Sequence, residues 1–514
     1  MKNCRCVFWM LVACFALWGL LNNMTDNLVP AFQRIFSMDQ SRAALVQVAF
    51  YGAYAVLALF ASVLVGEFSY RVGVLVGLGV YITGALLYIP ACVLQSFDFY
   101  FIGIFVVAAG CSILETTCNP CMLSLGSPES SIRRLNFAQA VNPIGSITGI
   151  FIAQKLILAN LNPATVEQRL AMPGEKLQEI VHSELMWICV PYVGLCAVAA
   201  LIWLYFLRTG SLESPVSGTP LRLRLGRVVA AAAAAVVPMA ALAVIFPGMD
   251  KLTWVLCGLV GPFLYILILP DYRETLFGLL GSARYVCGVI AQFCYVGVQI
   301  AVWTWMNVYC QKELGVAPDD AASYYILAIV CFIVCCWSAT FLMKWITPWK
   351  IMATFAVMAI LCALGSVYLP TVDLFAVGPM RFTANVVCLV AMSGFMSIMF
   401  PTIYGIALSG MEPKRFKLGA AGLIMAILGG ANVTSWMSNV IASKQCALFS
   451  LLPQASFVWD ENLRTSSGAL RASFFVPAAC FLVVLVYALA FRGGKTEKNS
   501  IKRFGCEQGD CLCR

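Results

Sequence analysis

The sequence predicts an all-α fold, a bundle of helices that crosses a membrane many times. Of its 514 residues, 61% are hydrophobic and only 11% are charged, a composition outside the range of soluble domains. Most of its apolar runs approach or exceed about 20 residues, the length a helix needs to cross the hydrocarbon core. Backbone groups have no water to bond with there, so each run is expected to form a helix.

Fourteen apolar runs qualify as spans, and a group of two separates two groups of six. In chain order they are Val7–Phe36, Ala43–Gly66, Val72–Val93, Phe99–Leu125, Leu135–Leu158, Leu185–Leu207, Val228–Phe246, Leu252–Leu269, Val286–Cys310, Tyr324–Met343, Ile351–Leu369, Thr383–Leu408, Leu418–Ala442 and Ala472–Phe491. The middle two are the shortest.

The two groups of six resemble each other in their loops. Long outer loops, Asn160–Glu184 and Ser443–Arg471, occupy matching places. In each half a proline, Pro120 or Pro401, precedes a basic cluster in the next loop. Such internal symmetry is typical of transporters built from duplicated helical repeats, which bind substrate between the repeats at the membrane midplane.

This symmetry predicts four parts of the chain: an N-terminal half at 1–207, a linker with an extra hairpin at 208–285, a C-terminal half at 286–492 and a cytoplasmic tail at 493–514. Within the second part, Arg208–Arg227 is interpreted as a linker that ends in a basic interfacial segment. The hairpin that follows spans twice and preserves the orientation of the second half.

The charge distribution predicts the orientation. Most of the 33 Lys and Arg residues fall on one side of the predicted spans, and the positive-inside rule makes that side cytoplasmic. Both termini are therefore expected in the cytoplasm, with the protein in a bacterial inner membrane. The net charge of +9 reflects this asymmetry, and no basic patch interleaved with exposed aromatics suggests a nucleic-acid partner.

Cysteine and histidine patterns indicate neither an enzyme nor a metal or cofactor site. Most of the 23 cysteines lie inside apolar spans, where they act as small hydrophobes. No P-loop, HExxH or metal-spaced Cys/His set occurs. The lone His182 lies in a polar outer loop. A membrane-embedded acyl- or glycosyltransferase is disfavoured because it needs a catalytic His or acidic cluster near the interface.

Two carboxylates, Asp26 and Glu115, fall at membrane depth. An Asp at a helix centre costs roughly 2.5–3.5 kcal/mol on insertion scales, so such groups mark ion or substrate pathways. No Lys or Arg of equal depth is evident in the same spans. Because removal from water disfavours the charged form, at least one of the two acids is expected to take up a proton near physiological pH.

Amide side chains accompany these acids on facing helices. The polar stripes are Asn22, Asn23 and Asp26 in the first span, Asn136, Gln139 and Asn142 in the fifth, and Gln292, Gln299, Trp303 and Asn307 in the ninth. Amides and carboxylates match sugar hydroxyls, which both donate and accept, and a sugar ring can pack on Trp303. A purely structural role as helix–helix glue, worth about 0.6 kcal/mol per group, stays open for Gln292, Asn307 and Asn432.

Together these features predict a symporter for a monosaccharide and a proton, working as a monomer. One charge moving through a membrane potential supplies about 2.3 kcal/mol per 100 mV, enough for roughly 50-fold accumulation. An uncoupled facilitator or exporter of another polar solute is the alternative. The pairs Gly73/Gly77 and Gly145/Gly149 have the GxxxG spacing of closely packed membrane helices.

Four segments resemble the fucose permease branch of the major facilitator superfamily, which contains L-fucose/proton symporters and related glucose/galactose transporters. The matching stretches are Phe15-Ala-Leu-Trp-Gly-Leu-Leu-Asn-Asn-Met-Thr-Asp26, Leu114-Glu-Thr-Thr-Cys-Asn-Pro120, Leu135-Asn-Phe-Ala-Gln-Ala-Val-Asn142 and Ala291-Gln-Phe-Cys-Tyr-Val-Gly-Val-Gln299. The resemblance implies that Asp26 and Glu115 are the essential acids, with Glu115 ahead of Asp26 as proton carrier. It also implies that Asn23, Gln139 and Asn142 border the sugar.

The sequence departs from that family pattern in two places. Where the family has Gln-Tyr-Pro, this chain has Met399-Phe400-Pro401, which removes an amide and a phenol and puts fucose in doubt among the hexoses. The family has twelve spans, so the two at Val228–Leu269 are an addition.

Overall fold

The computed structural model describes residues 2–26, 31–32, 35–36, 45–164, 168–169, 171–209, 220–245, 251–378, 380–443, 446–451 and 465–492. In the first half the helices are α1 (Lys2–Asp26), α2 (Leu45–Glu67), α3 (Tyr70–Leu86), α4 (Tyr88–Val93), α5 (Phe97–Ser124), α6 (Ser131–Gln139), α7 (Asn142–Ile152) and α8 (Gly174–Arg208). Between the halves lie α9 (Leu221–Ile245), α10 (Lys251–Ile268) and α11 (Pro270–Leu280).

The second half consists of α12 (Ala283–Leu314), α13 (Pro318–Leu342), α14 (Pro348–Tyr368), β1 (Asp373–Val377), β2 (Met380–Thr383), α15 (Ala384–Met396), α16 (Met399–Leu408), α17 (Pro413–Met425), α18 (Gly429–Ala442), α19 (Ser467–Ser473) and α20 (Phe475–Ala490). The two strands form an antiparallel hairpin in the loop between α14 and α15. Within the described ranges, thirteen helices are long and apolar enough to cross a membrane. Each coincides with a predicted span, and α10 covers the fourteenth.

Several spans are broken near their middle, and proline explains one of the breaks. The fifth span divides into α6 and α7, and Pro143 stands in the first turn of α7. Proline has no backbone N–H to continue the preceding helix, so a new helix begins there. The break separates Gln139, the last residue of α6, from Asn142, the first residue of α7.

Glycines allow the helices of the first half to approach closely. A Cβ on Gly145 would lie 2.1 Å from the Ala16 carbonyl oxygen, and one on Gly149 would lie 2.2 Å from that of Leu20. On α3, a Cβ on Gly73 would lie 2.6 Å from Thr117 Oγ1. The predicted packing role of the GxxxG pairs is confirmed, because a side chain at these positions would overlap the facing helix.

The hydrogen bonds between the two halves lie at one end of the bundle, the end that carries Arg133, Arg134, Lys414 and Arg415, here called the basic end. Lys417 Nζ donates to the Val65 carbonyl at 3.2 Å and lies 5.1 Å from the centre of the Tyr70 ring. Asn136 Nδ2 donates to Thr402 Oγ1 at 3.4 Å. No other hydrogen bond between described residues joins the first half to the second, so the bundle is fastened at its basic end.

The helices α9 and α10 pack on each other and on α2. A Cβ on Gly261 of α10 would lie 1.9 Å from the Ala234 carbonyl oxygen of α9. At the basic end, Glu67 at the end of α2 accepts hydrogen bonds from Arg227 at 3.0 Å and from Tyr272 of α11 at 3.1 Å. These contacts attach the inserted helices to the first half; the domain boundaries at 207 and 285 stay a prediction.

Candidate functional site

Glu115 lies in the middle of α5 and is buried, with 7% of its surface exposed. Its neighbours Thr116, Thr117 and Asn119 are also buried. Its carboxyl group forms no ion pair with any Lys or Arg in the described part of the chain. An isolated charged carboxylate is costly in such surroundings, whereas a protonated carboxyl is much less so.

Gln139 is joined to the helix that carries Glu115. Its Nε2 atom donates to Asn119 Oδ1 at 3.1 Å, and Asn119 Nδ2 donates to the backbone oxygen of Glu115 at 3.0 Å. The Gln139 side chain is half-buried, while Asn119 is fully buried. Two of the predicted site residues, Gln139 and Glu115, are therefore connected through the side-chain amide of Asn119.

Asn142 lies against α1, across the break from Gln139. Its Nδ2 atom donates to the Phe15 carbonyl at 3.1 Å. A Cβ on Gly19 would lie 2.2 Å from the Asn142 carbonyl oxygen, so only glycine fits at this contact. One face of Asn142 is thus occupied by α1.

Asn22 and Asn23 follow on α1, one turn beyond Gly19, and both are half-buried. Asn23 Nδ2 donates to the Gly19 carbonyl at 3.3 Å. Asn22 Oδ1 is buried without a hydrogen-bond partner. Asp26 is the last residue of α1, and its side chain lies outside the described residues, so its predicted place in the site is not tested.

Tyr54 of α2 is a further candidate site residue, one that sequence reasoning missed. Its side chain is 2% exposed, and it lies on a helix that packs closely against α5, the helix that carries Glu115. The Tyr54 hydroxyl nevertheless has no hydrogen bond of good geometry. A tyrosine deep in an apolar span needs a partner for its hydroxyl, and that requirement is the signal by which Tyr54 could have been found.

In the second half, Gln299 and Trp303 lie on α12 and are both half-buried. Trp303 Nε1 donates to Ser393 Oγ of α15 at 3.2 Å. The Trp303 ring meets the Phe332 ring edge-on, with 5.5 Å between centroids. These contacts fix the indole plane, and they add Ser393 to the residues that sequence reasoning missed.

The structure brings the first-half residues together but does not join them to the second half. Glu115, Asn22, Gln139 and Asn142 lie on four helices that contact one another. No hydrogen bond between described residues connects them to Gln299 or Trp303. Such a two-part arrangement suits a ligand that binds between the halves.

Gln292 of α12 is fully buried, and neither its amide oxygen nor its amide nitrogen has a hydrogen-bond partner. Asn307 Oδ1 is likewise buried and unpartnered. Neither residue forms a hydrogen bond to a neighbouring helix through these atoms. The predicted structural role, a polar bond between helices, is therefore not seen for these atoms. Across the described ranges, no group of three or more His, Cys, Asp or Glu residues is suited to a metal ion.

Residues 10–436 match the family profile described as Major Facilitator Superfamily. The chain belongs to the Major Facilitator Superfamily. Membership confirms the predicted fold class of a helical membrane bundle. This protein is thus a multi-pass membrane protein.

This member of the Major Facilitator Superfamily is similar to transporters along nearly its whole length. It is 32% identical over 96% of its length to 97% of the L-fucose-proton symporter of Haemophilus influenzae. It is 28% identical over 94% of its length to 92% of the L-fucose-proton symporter of Escherichia coli. A crystal structure of the Major Facilitator Superfamily transporter FucP in the outward conformation superposes with a TM-score of 0.72 at 25% identity, covering 96% of this chain and all of that one. These relatives are transporters, not enzymes.

Proposed function

We propose that this protein is a proton-coupled symporter that imports a monosaccharide by alternating access. The substrate is L-fucose or a related hexose such as galactose or glucose. The observation that carries the proposal is Glu115, a carboxyl group buried in the middle of the bundle without an ion-pair partner among the described residues. The relatives, both L-fucose-proton symporters, support the same substrate class.

Glu115 is the proton carrier in this proposal, with Asp26 as the second essential acid. A buried carboxyl without a cation is far less costly protonated than charged. The protein therefore changes from the outward-open to the inward-open arrangement with the proton bound to this carboxyl. Deprotonation becomes favourable once the cavity opens to water on the other side. Once the sugar and the proton have both left, water can fill the empty site and solvate the carboxylate, so the protein returns without either, which couples the two movements.

The amides around Glu115 bind the sugar. Asn22, Asn23, Gln139 and Asn142 present donors and acceptors from α1, α6 and α7, and each matches a hydroxyl group that both donates and accepts. Asn22 Oδ1 lacks a protein partner and is available to a sugar hydroxyl. Gln299 and the fixed indole of Trp303 complete the site from the second half.

The wall formed by Met399-Phe400-Pro401 bears on which hexose binds. Met399 and Pro401 are buried, and the half-buried Phe400 ring stacks on Tyr404 with 6.0 Å between centroids. This wall offers no amide or phenol to a hydroxyl. A competition experiment with L-fucose, D-galactose and D-glucose on the purified protein ranks the three.

In its cellular setting, the symporter works as a monomer in a bacterial inner membrane. The basic end, which holds the first residues of α1 and the last residues of α20, faces the cytoplasm under the positive-inside rule. The arrangement fastened at the basic end is then the one that accepts sugar from outside.

Uptake of radiolabelled sugar into right-side-out vesicles tests the proposal. With an inward proton gradient, we expect accumulation well above the outside concentration, and a protonophore should abolish it. Uptake that is the same with and without the protonophore would contradict proton coupling and favour an uncoupled facilitator. Movement only outward from preloaded vesicles would favour an exporter of another polar solute.

A further inference from the structure

The inserted helices carry a cleft at the basic end that the proposed transport function does not use. The cleft has a volume of about 490 Å³. It is lined by Pro220, just before α9, by Arg222, Leu223, Gly226 and Arg227 in the first turns of α9, and by Tyr265 of α10. It lies on the outside of the bundle, away from Glu115 and the amides.

The surroundings of this cleft place it where a membrane headgroup layer meets the hydrocarbon. Leu221, Leu223 and Leu225 are 56%, 51% and 48% exposed, and Val229, one turn farther along α9, is 63% exposed. Exposed apolar side chains beside arginines are typical of a helix that enters the membrane through its interface. The cleft therefore opens towards lipid at the level of the headgroups.

The cleft is lined by two arginines in different states. Arg227 is held by Glu67 at 3.0 Å and by Asp271 at 3.6 Å. Arg222 is exposed and forms no hydrogen bond or ion pair with any described residue. Nearby, Arg224 lies over the Phe68 ring at 5.5 Å, and its buried Nε atom has no hydrogen-bond partner. Three guanidinium groups face two carboxylates here, which leaves the site with excess positive charge.

The walls of the cleft are firmly placed. Tyr265 donates its hydroxyl hydrogen to the Arg227 carbonyl at 2.7 Å, which joins α10 to α9 across the floor. The Tyr265 ring contributes an aromatic surface of the kind found at membrane interfaces. Gly226 leaves room beside it, because it has no other atom within 4 Å of where a Cβ would stand.

From these features we propose that this cleft binds the phosphate group of an anionic phospholipid. The planar guanidinium of Arg222 can hold two phosphate oxygens at once, while Arg227 adds positive charge. The acyl chains lie along the exposed leucines at the start of α9. The site shares no residue with the proposed sugar site.

Native mass spectrometry of the full-length protein in a neutral detergent tests the site. Phosphatidylglycerol and phosphatidylcholine with the same acyl chains are titrated separately. We expect phosphatidylglycerol to bind more tightly, and Arg222→Gln to weaken it about fivefold, equal to about 1 kcal/mol. Arg222→Lys keeps the positive charge but cannot hold two phosphate oxygens at once. Its affinity for phosphatidylglycerol should therefore lie between that of the unmodified protein and that of Arg222→Gln.

Arg492→Gln is the matched control, since Arg492 is an exposed arginine at the basic end outside the cleft. It should bind phosphatidylglycerol as the unmodified protein does. A parallel titration with inorganic phosphate, followed by thermal unfolding, separates the two sources of the group. If inorganic phosphate raises the unfolding temperature and Arg222→Gln removes that rise, the cleft also binds free phosphate. If phosphate has no effect, the cleft binds the phosphate group only as part of a lipid. Equal binding of both lipids, or equal losses in the Gln variants at 222 and 492, would overturn the proposal.

Discussion

Gln139 Nε2 donates a hydrogen bond to Asn119 Oδ1 at 3.1 Å, which ties the short helix α6 to α5 one turn beyond Glu115. Asn119 in turn bonds to the Glu115 backbone oxygen. Under the proposed function, a sugar hydroxyl that competes for the Gln139 amide acts directly on the helix that holds the coupling carboxyl. Sugar binding at Gln139 and proton binding at Glu115 would thus be connected through the Asn119 side chain.

Glu115→Gln should retain sugar exchange but lose proton-driven accumulation. The amide has the shape of the protonated acid and cannot release a proton, so exchange at equal concentrations continues while uphill uptake fails. Vesicle assays of counterflow and of accumulation measure the two separately. Glu129→Gln, in an exposed turn, is the control and should behave as the unmodified protein. Persistent accumulation in the Glu115 variant would exclude it as the carrier.

Tyr54→Phe should weaken sugar binding without lowering thermal stability. The Tyr54 hydroxyl has no hydrogen-bond partner in the ligand-free protein, so its removal leaves no other group unsatisfied. A sugar bonded to that hydroxyl would lose about 1 kcal/mol, or roughly fivefold in Kd. Isothermal titration calorimetry measures the change.

Tyr487→Phe is the matched control for this substitution. Its hydroxyl is also buried and unpartnered, but it lies in the second half beside Gly288. Sugar affinity should be unchanged in this variant. An equal loss of affinity in both would assign the effect to packing rather than to the site.

Gly145→Ala should destabilise the contact between α1 and α7. The added methyl group would lie 2.1 Å from the Ala16 carbonyl oxygen, and overpacking of this kind costs about 1–3 kcal/mol. Thermal unfolding in detergent should show a lower midpoint. Gly194→Ala, with no atom within 4 Å of the new methyl group, should instead hold or raise the midpoint because alanine favours a helix.

Lys417→Gln should loosen the basic end and shift the protein towards the arrangement open on that side. Its ammonium group holds the Val65 carbonyl and covers Tyr70 across the two halves. A loss of about 1 kcal/mol changes the ratio of the two states roughly fivefold. Electron spin resonance distances between labels on the two halves measure that ratio. Lys414→Gln, on an exposed face of the same helix, should leave the distances unchanged.

Glu313→Gln should destabilise the second half. Glu313 is only 2% exposed and accepts bonds from Arg471, Ser467 and Asn385. Removing one member of a buried ion pair strands the other and costs about 3–5 kcal/mol. The exposed pair of Asp373 and Arg381 offers the contrast, and Asp373→Asn should change the unfolding midpoint little.

Much of the fold could be predicted because membrane helices obey a local rule. A run of about twenty apolar residues must form a helix across the bilayer whatever surrounds it, so the spans around Glu115 and Gln299 are placed by composition alone. Candidate amides such as Gln139 could also be picked out from the sequence, since polar groups at that depth are costly and stand out. Tyr54 and Ser393 were missed because the sequence does not show which hydroxyl in an apolar run faces another polar group, since that depends on how the helices pack.

By itself, the sequence determined the helical bundle, and it predicts two similar halves and the candidate acids and amides. Tertiary structure alone decided which groups meet: that Asn119 links Gln139 to the backbone of Glu115, and that Lys417 bonds to Val65 across the two halves. The reason is physical. Burial in a membrane acts on each segment separately, whereas a hydrogen bond between helices depends on rotation and approach, and those are set by close contacts such as that of Gly145 with Ala16.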